Sequence, residues 1–310
     1  MMHIQFPPSL KKGDKIAVVS PAGSVEDSSL TKTLDLIRSN GFDPVLSEHC
    51  LGKYSEGYSY SGTEKERIQD MNHALNDAGI SAVWASRGGY GCQHLLRHLR
   101  LSSFRQQPRW YIGYSDNTVI QSFLLRNGFA SIHGQTVKTS SFGVSLESYQ
   151  GIFDILKGKK PVYTTEKNLF NRYGIAKGQL VGGNLALVYA LLGTPYSFQF
   201  KDKILFIEEI GENFYALDRM LMSLDLAGVF RKIKGLIVGG MTNMGSEKDN
   251  KEYDSSFDTF AYEIISNRIR KYDFPAVFGF PNGHIFENLP LIIGADVEIN
   301  SGENPEIKFY

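Results

Sequence analysis

From Asp14 onward the chain alternates short apolar runs with amphipathic segments, and this alternation constrains its fold more than any other feature. "KIAVVSPAG" reads as a buried strand running into a turn. In "LTKTLDLIRSNG", Leu30, Leu34 and Ile37 share one helical face and Gly41 supplies the stop. Thr63 and Glu66 in "TEKE" have the spacing of a capping box, and Ile68, Met71 and Leu75 continue as one stripe. "ISAVWASRGGYG" then runs a strand into a glycine turn, and "WYIGYSDNTVIQSFLLRNG" runs a strand into a helix. Strand, helix, strand, helix predicts parallel strands joined by right-handed crossovers, with helices on both faces. Ligands in such sheets bind beyond the carboxyl ends of the strands.

A chain of 310 residues exceeds the comfortable size of one core, so two domains are expected. The periodicity breaks around "LKGKKPVYTTEKNLFNRYG", which is rich in lysine and turn formers. The reading is an N-terminal α/β domain over 1–150, a linker over 151–177 and a C-terminal domain over 178–310. In the last of these, "KILFIEEI" and "KGLIVGG" are strand candidates and the ending is strand-rich. Lysine plus arginine and aspartate plus glutamate each number 33, without a basic stripe, which argues against nucleic acid and anionic membrane surfaces as partners. The N-terminal stretch lacks the pattern of a secretory signal and no apolar run is long enough to span a bilayer, so a cytoplasmic location is expected. Cys50 and Cys92 make no disulfide framework and have no metal-ligand spacing; they read as reduced, buried thiols.

Chemistry is sought on the turns after strands. Ser115, preceded by Gly113 and followed by Asp116 and Asn117, sits at a strand-to-helix turn similar to a nucleophile elbow, although Asn117 stands where the elbow has its last glycine. The same letters suit an ordinary helix cap by Ser115 or Asp116. A nucleophilic serine needs a base and an orienting acid. His133 in "SIHGQ" and His284 in "FPNGHIFENLP" each follow a strand-like run on a glycine-containing turn. Glu208, Glu209 and Glu212 cluster at the end of the strand "KILFIEEIGENF", and spacing alone does not choose among them. "SRGGYG" is able to present backbone N–H groups to an oxyanion. "GQLVGGNLALV" opens a helix at Asn184 or Leu185 but lacks the lysine of a phosphate loop.

Together, "SPAG", "RGGYG", "GYSDNT", "IHGQ", the Leu180–Leu185 stretch "LVGGNL", "ILFIEEIGENFYALDRML" and "GFPNGH" followed by "LPLIIGADVEI" resemble, in order and spacing, the LD-carboxypeptidase family of serine peptidases. That family includes muramoyltetrapeptide carboxypeptidases and microcin-immunity peptidases, and the resemblance spans essentially the whole chain. It implies a triad of Ser115, Glu208 and His284, with an oxyanion hole from the N–H groups of Gly89 and Asp116. It also implies a doubly wound, flavodoxin- or amidotransferase-like N-terminal domain, a mixed α/β swivelling C-terminal domain, and a homodimer. The expected activity is cytoplasmic release of terminal D-alanine from murein tetrapeptides, without metal or organic cofactor. The alternatives are cleavage of peptidyl-nucleotide conjugates, or a catalytically silent peptide binder of the same fold. Gly88, Asn184, Tyr215 and Arg219, with Arg87, are candidates for substrate contact. Gln135 replaces the proline that the family commonly has after histidine and glycine, and the charged stretch over 244–258 reads as a surface loop.

Overall fold

The computed structural model describes residues 3–245 and 258–310, so most of the charged stretch, 246–257, lies outside the described residues. The chain divides into two compact units, Met1–Lys159 and Lys160–Tyr310.

The first unit contains, in order, β1 (Lys15–Val19), α1 (Thr31–Ser39), β2 (Asp43–Leu46), a short hairpin of β3 (Tyr54–Ser55) and β4 (Ser59–Tyr60), and α2 (Glu64–Asn76). It continues with β5 (Ile80–Ala85), the one-turn α3 (Cys92–Leu95), β6 (Trp110–Gly113), α4 (Thr118–Arg126), β7 (Ser131–His133) and α5 (Leu146–Leu156). Its strands pair in parallel in the order β7-β6-β5-β1-β2. This is the flavodoxin-like doubly wound order, and the strand sequence reverses between β1 and β5. Apolar side chains drive the assembly: Val18, Val19, Val83, Trp84 and Ile112 are all inaccessible to solvent. The capping box forms as the spacing predicts, with the Glu66 N–H donating to Thr63 Oγ1 at 3.3 Å and the Thr63 N–H donating to Glu66 Oε2 at 2.8 Å.

The second unit begins with β8 (Val162–Thr164), β9 (Ile175–Asn184), α6 (Leu185–Ala190), β10 (Lys203–Ile210), α7 (Phe214–Leu226) and β11 (Gly235–Thr242). After it come α8 (Thr259–Ile269), β12 (Ala276–Phe278), β13 (Leu291–Ile293), β14 (Asp296–Asn300) and β15 (Glu306–Phe309). A mixed sheet runs β12-β11-β10-β9-β14-β15-β8, with the first four strands parallel and the last three antiparallel additions. Within the segment 151–177, residues 151–156 complete α5, β8 is the edge strand of this sheet, and β9 starts at Ile175.

β10 is a continuous apolar run because both faces of the sheet are covered, and it ends in Glu208 and Glu209. β9 approaches it closely. Gly182 has φ +119°, and a Cβ there would overlap the carbonyl oxygen of Phe206. Gly182→Ala is therefore expected to lower stability by about 2 kcal/mol or more, through backbone strain and overpacking, as read from the urea midpoint. An unchanged midpoint would show that β9 relaxes freely at this contact.

Candidate active site

In the first unit the chain leaves β6 at Gly113, passes Tyr114 in extended conformation, and enters a single 3-10 turn over Ser115–Asn117 before α4. Ser115 has φ +62°, the left-handed region that a non-glycine residue occupies at a cost of about 1–3 kcal/mol. The surroundings hold it there. Asn117 Oδ1 accepts the Tyr111 hydroxyl at 2.5 Å, and Asn117 Nδ2 donates to the Tyr114 carbonyl at 2.9 Å. A Cβ on Gly113 would come within 2.8 Å of Asn117 Cγ, so glycine is needed to close the turn.

Helix capping does not account for these residues. Neither the 3-10 turn nor α4 has a side-chain cap, and the Asp116 carboxylate instead accepts the Cys92 N–H at 2.8 Å, at the start of α3. Asp116 is buried, and burial raises its carboxyl to about 6 against the opposing Cys92 N–H. Gly88 lies against the serine: a Cβ there would sit 3.2 Å from Ser115 Oγ. Gly89, with φ +108°, has the Tyr58 hydroxyl directly over its α-carbon. The Gly23 N–H donates to the Gly88 carbonyl at 3.3 Å, tying the loop after β1 to the loop after β5 at the strand-order reversal. His133 is fully buried at the end of β7, with Nδ1 3.2 Å from Gln121 Oε1 and its ring edge-on to Tyr114. Gln135 is buried beside it and its carbonyl accepts the Trp84 indole N–H at 2.7 Å.

In the second unit Glu208 and Glu209 are 0% and 2% exposed, and successive strand residues point to opposite faces. Glu208 Oε2 lies 2.8 Å from His284 Nδ1. A carboxylate only accepts, so Nδ1 carries a proton, and in the neutral imidazole Nε2 keeps its lone pair. Burial pushes the His284 imidazolium down, but the charge and hydrogen bond of Glu208, with a smaller contribution from Glu209, outweigh it and the net shift is upward from 6.5. Glu209 turns the other way. Its Oε1 accepts Asn184 Nδ2 and the Ile210 N–H, both at 2.9 Å, and its Oε2 accepts the Ala186 N–H at 2.7 Å. Burial, then the neighbouring charge of Glu208, raises Glu209 to about 7. Asn184, buried, also caps α6 by accepting the Leu187 N–H at 3.3 Å.

Gly283, on the glycine-containing turn before His284, and Gly239, to which the sequence reading assigned no role, make room for the Glu208–His284 pair. Ile207 pairs with Val238 and Glu209 with Met241, so Gly239 and Gly240 bulge on β11 opposite Glu208. A Cβ on Gly239 would overlap the Asn282 carbonyl oxygen, and one on Gly283, at φ +128°, would lie 3.1 Å from Glu208 Oε2. The glycines of "IVGG" and "PNGH" were the available signal. Tyr215 and Arg219 lie exposed on α7, with the guanidinium 5.5 Å from the tyrosine ring, and Glu212 is half-buried beyond Gly211. Among the described residues one group, Glu48, His49 and Asp70, brings metal-ligating atoms within 4.8 Å of one another, and none of the three belongs to the motifs above.

Cys92 is fully buried, and burial followed by the Asp116 charge keeps its thiol well above the usual range; Cys50 is raised by burial to about 11. Both thiols are therefore expected to resist iodoacetamide in the native protein and to label after denaturation. Rapid native labelling of Cys92, detected by mass spectrometry, would instead make it a candidate nucleophile.

Sequence comparison bears on the whole chain. Residues 16–134 match the LD-carboxypeptidase N-terminal domain and residues 177–299 the LD-carboxypeptidase C-terminal domain. A putative carboxypeptidase of Synechocystis is 32% identical, covering 95% of this chain and 94% of that protein. A probable murein peptide carboxypeptidase of Bacillus subtilis is 29% identical, covering 97% and 93%. Among solved structures, muramoyltetrapeptide carboxypeptidase from Oxalobacter formigenes superposes with TM-score 0.81 at 24% identity, covering 95% of this chain and 98% of that one. The microcin C7 self-immunity protein MccF superposes with TM-score 0.81 at 22% identity, covering 98% of each chain. The chain belongs to the LD-carboxypeptidase family of serine peptidases.

Proposed function

We propose that this protein is a cytoplasmic carboxypeptidase that removes the terminal D-alanine of murein tetrapeptides, leaving the tripeptide for cell-wall recycling, and that it acts as a homodimer. The observation that carries the reading is the buried 2.8 Å hydrogen bond between Glu208 and His284, in a chain whose relatives at 29–32% identity are named carboxypeptidases. The nucleophile belongs to the N-terminal unit, the acid and base to the C-terminal one.

In this mechanism His284 Nε2 takes the proton of Ser115 Oγ as that oxygen attacks the carbonyl carbon of the scissile amide. The N–H groups of Gly89 and Asp116 stabilise the oxyanion. His284 returns the proton to the departing amine, the C–N bond breaks, and D-alanine leaves. Water, deprotonated by the same imidazole, then attacks the acyl-serine and frees the shortened peptide. Glu208 holds the tautomer and stabilises the imidazolium. Gly88, Asn184, Tyr215 and Arg219 are the proposed substrate contacts.

Ser115→Ala and His284→Ala are expected to lower turnover of a murein tetrapeptide by about 10⁴-fold or more, with little change in melting temperature for Ser115→Ala and a loss for His284→Ala, which strips the buried Glu208 of a donor. Cys92→Ala and His133→Gln should retain far more activity. Comparable or larger losses in either of these would reject the assignment. A fluorophosphonate probe that fails to label the protein at Ser115 would favour the silent binder, and preferential cleavage of a peptidyl-nucleotide conjugate would favour the immunity-type reading.

A general base must be neutral, so kcat/KM should rise with pH through the His284 pKa, with its midpoint above the ordinary value of 6.5. Glu208→Gln removes the dominant raising charge and leaves burial, so the midpoint should move to lower pH while turnover falls strongly. Glu209→Gln, whose partners are the start of α6, should cost much less. A pH profile unmoved by Glu208→Gln would separate this carboxylate from the titrating base.

A further inference from the structure

Arg87 is half-buried between Ser86, at the end of β5, and Gly88, which touches Ser115. Its side chain makes one hydrogen bond, from Nη1 to the Ser24 carbonyl at 2.8 Å, and among the described residues it has no carboxylate partner. The Tyr58 hydroxyl, carried on the hairpin of β3 and β4, likewise has no hydrogen-bond partner among the described residues. Both groups converge over one glycine. The position a Cβ would take on Gly23 is 3.2 Å from the Tyr58 hydroxyl and 3.3 Å from Arg87 Cζ and Nε. The same hydroxyl covers Gly89.

A half-buried guanidinium with spare donors, facing no protein carboxylate among the described residues, is available to an acceptor on a ligand. Lys138 is a second cation nearby, its ammonium pushed down by burial and then by the charge of Arg87. Glu26, the carboxylate that partly offsets it, is already bonded to Lys53 at 2.7 Å. A planar carboxylate from a ligand matches the guanidinium fork and accepts from the hydroxyl as well. An exopeptidase has to recognise such a group. The α-carboxylate of the leaving residue is separated from the scissile carbonyl only by one nitrogen and one α-carbon, so its receptor must stand beside the nucleophile turn. Arg87 and Tyr58 stand there.

We propose that Arg87, assisted by the Tyr58 hydroxyl, receives the free C-terminal carboxylate of the peptide and so restricts cleavage to the last residue. The inference rests on the carboxypeptidase reading above, but its test does not require turnover. Calorimetry on Ser115→Ala protein, with a murein tetrapeptide as free acid and as C-terminal amide, should show the acid binding about 10- to 100-fold more tightly. Arg87→Gln, which keeps a donor for the Ser24 carbonyl, should erase that preference while leaving amide binding unchanged, and Tyr58→Phe should reduce it. Unchanged amide affinity shows that the variants remain folded. Equal binding of acid and amide, a preference that survives Arg87→Gln, or no binding of either peptide overturns the proposal. If wild-type protein leaves the tetrapeptide uncut while the Arg87-dependent preference persists, the functional reading fails and the assignment of Arg87 as carboxylate receptor stands without its consequence for cleavage.

Discussion

Two ionisable residues, Glu208 and Glu209, lie near the end of β10 after four buried apolar side chains, Ile204 to Ile207, and much of the second unit's organisation follows from satisfying them. An isolated buried carboxylate is costly, so each must find donors within reach. Strand alternation sends them to opposite faces. Glu209 finds Asn184, the Ile210 N–H and the opening turn of α6, which fixes the helix to the strand that precedes it in space. Glu208 finds the imidazole of His284. The bulge on β11 and the bare glycines at 239 and 283 exist where a side chain would block that contact. Glu209 is thus committed to the start of α6, and Glu208 to the imidazole of His284.

The first unit solves a different problem. Its strand order reverses between the paired strands β1 and β5, and the loops that follow them pack backbone on backbone, Gly23 N–H on the Gly88 carbonyl. Ser115, on the turn after the neighbouring β6, is held at a positive φ by Asn117, Tyr111 and the absence of a side chain at Gly113. Strain of this kind persists only where neighbours over-determine it, and here the Asp116 carboxylate is also committed, to α3 rather than to the helix it precedes. The turn is therefore rigid on both sides of the serine. Such rigidity suits the nucleophile role proposed for Ser115, since an attacking hydroxyl depends on its orientation.

Much of this was legible in the order of residues. The apolar period located β1, α1, α2, β5, β6 and α4 of the first unit, the capping box at Thr63 formed as spaced, and the ordered motifs implied the family. Parity along an extended strand already required Glu208 and Glu209 to part. These are local properties, set by side-chain period, by caps and by the conformational freedom of glycine, and they need no knowledge of neighbours.

Spacing alone did not choose Glu208 over Glu209 or Glu212, because which face of β10 meets a histidine 76 residues later depends on sheet register. The sequence equally allowed Ser115 or Asp116 to be a helix cap; only the tertiary structure turned the Asp116 carboxylate to Cys92 and put Ser115 at positive φ. The edge strand β8, short and half exposed, carries too little period to be read before its partner β15 is known. Arg87 and Tyr58, about thirty residues apart, converge only once the hairpin folds over the loops after β1 and β5. The sequence by itself determined the elements and the chemical alphabet of the site. Long-range register and glycine-permitted close approach decided which of those letters meet, because such contacts arise from the packing of distant segments rather than from any local preference.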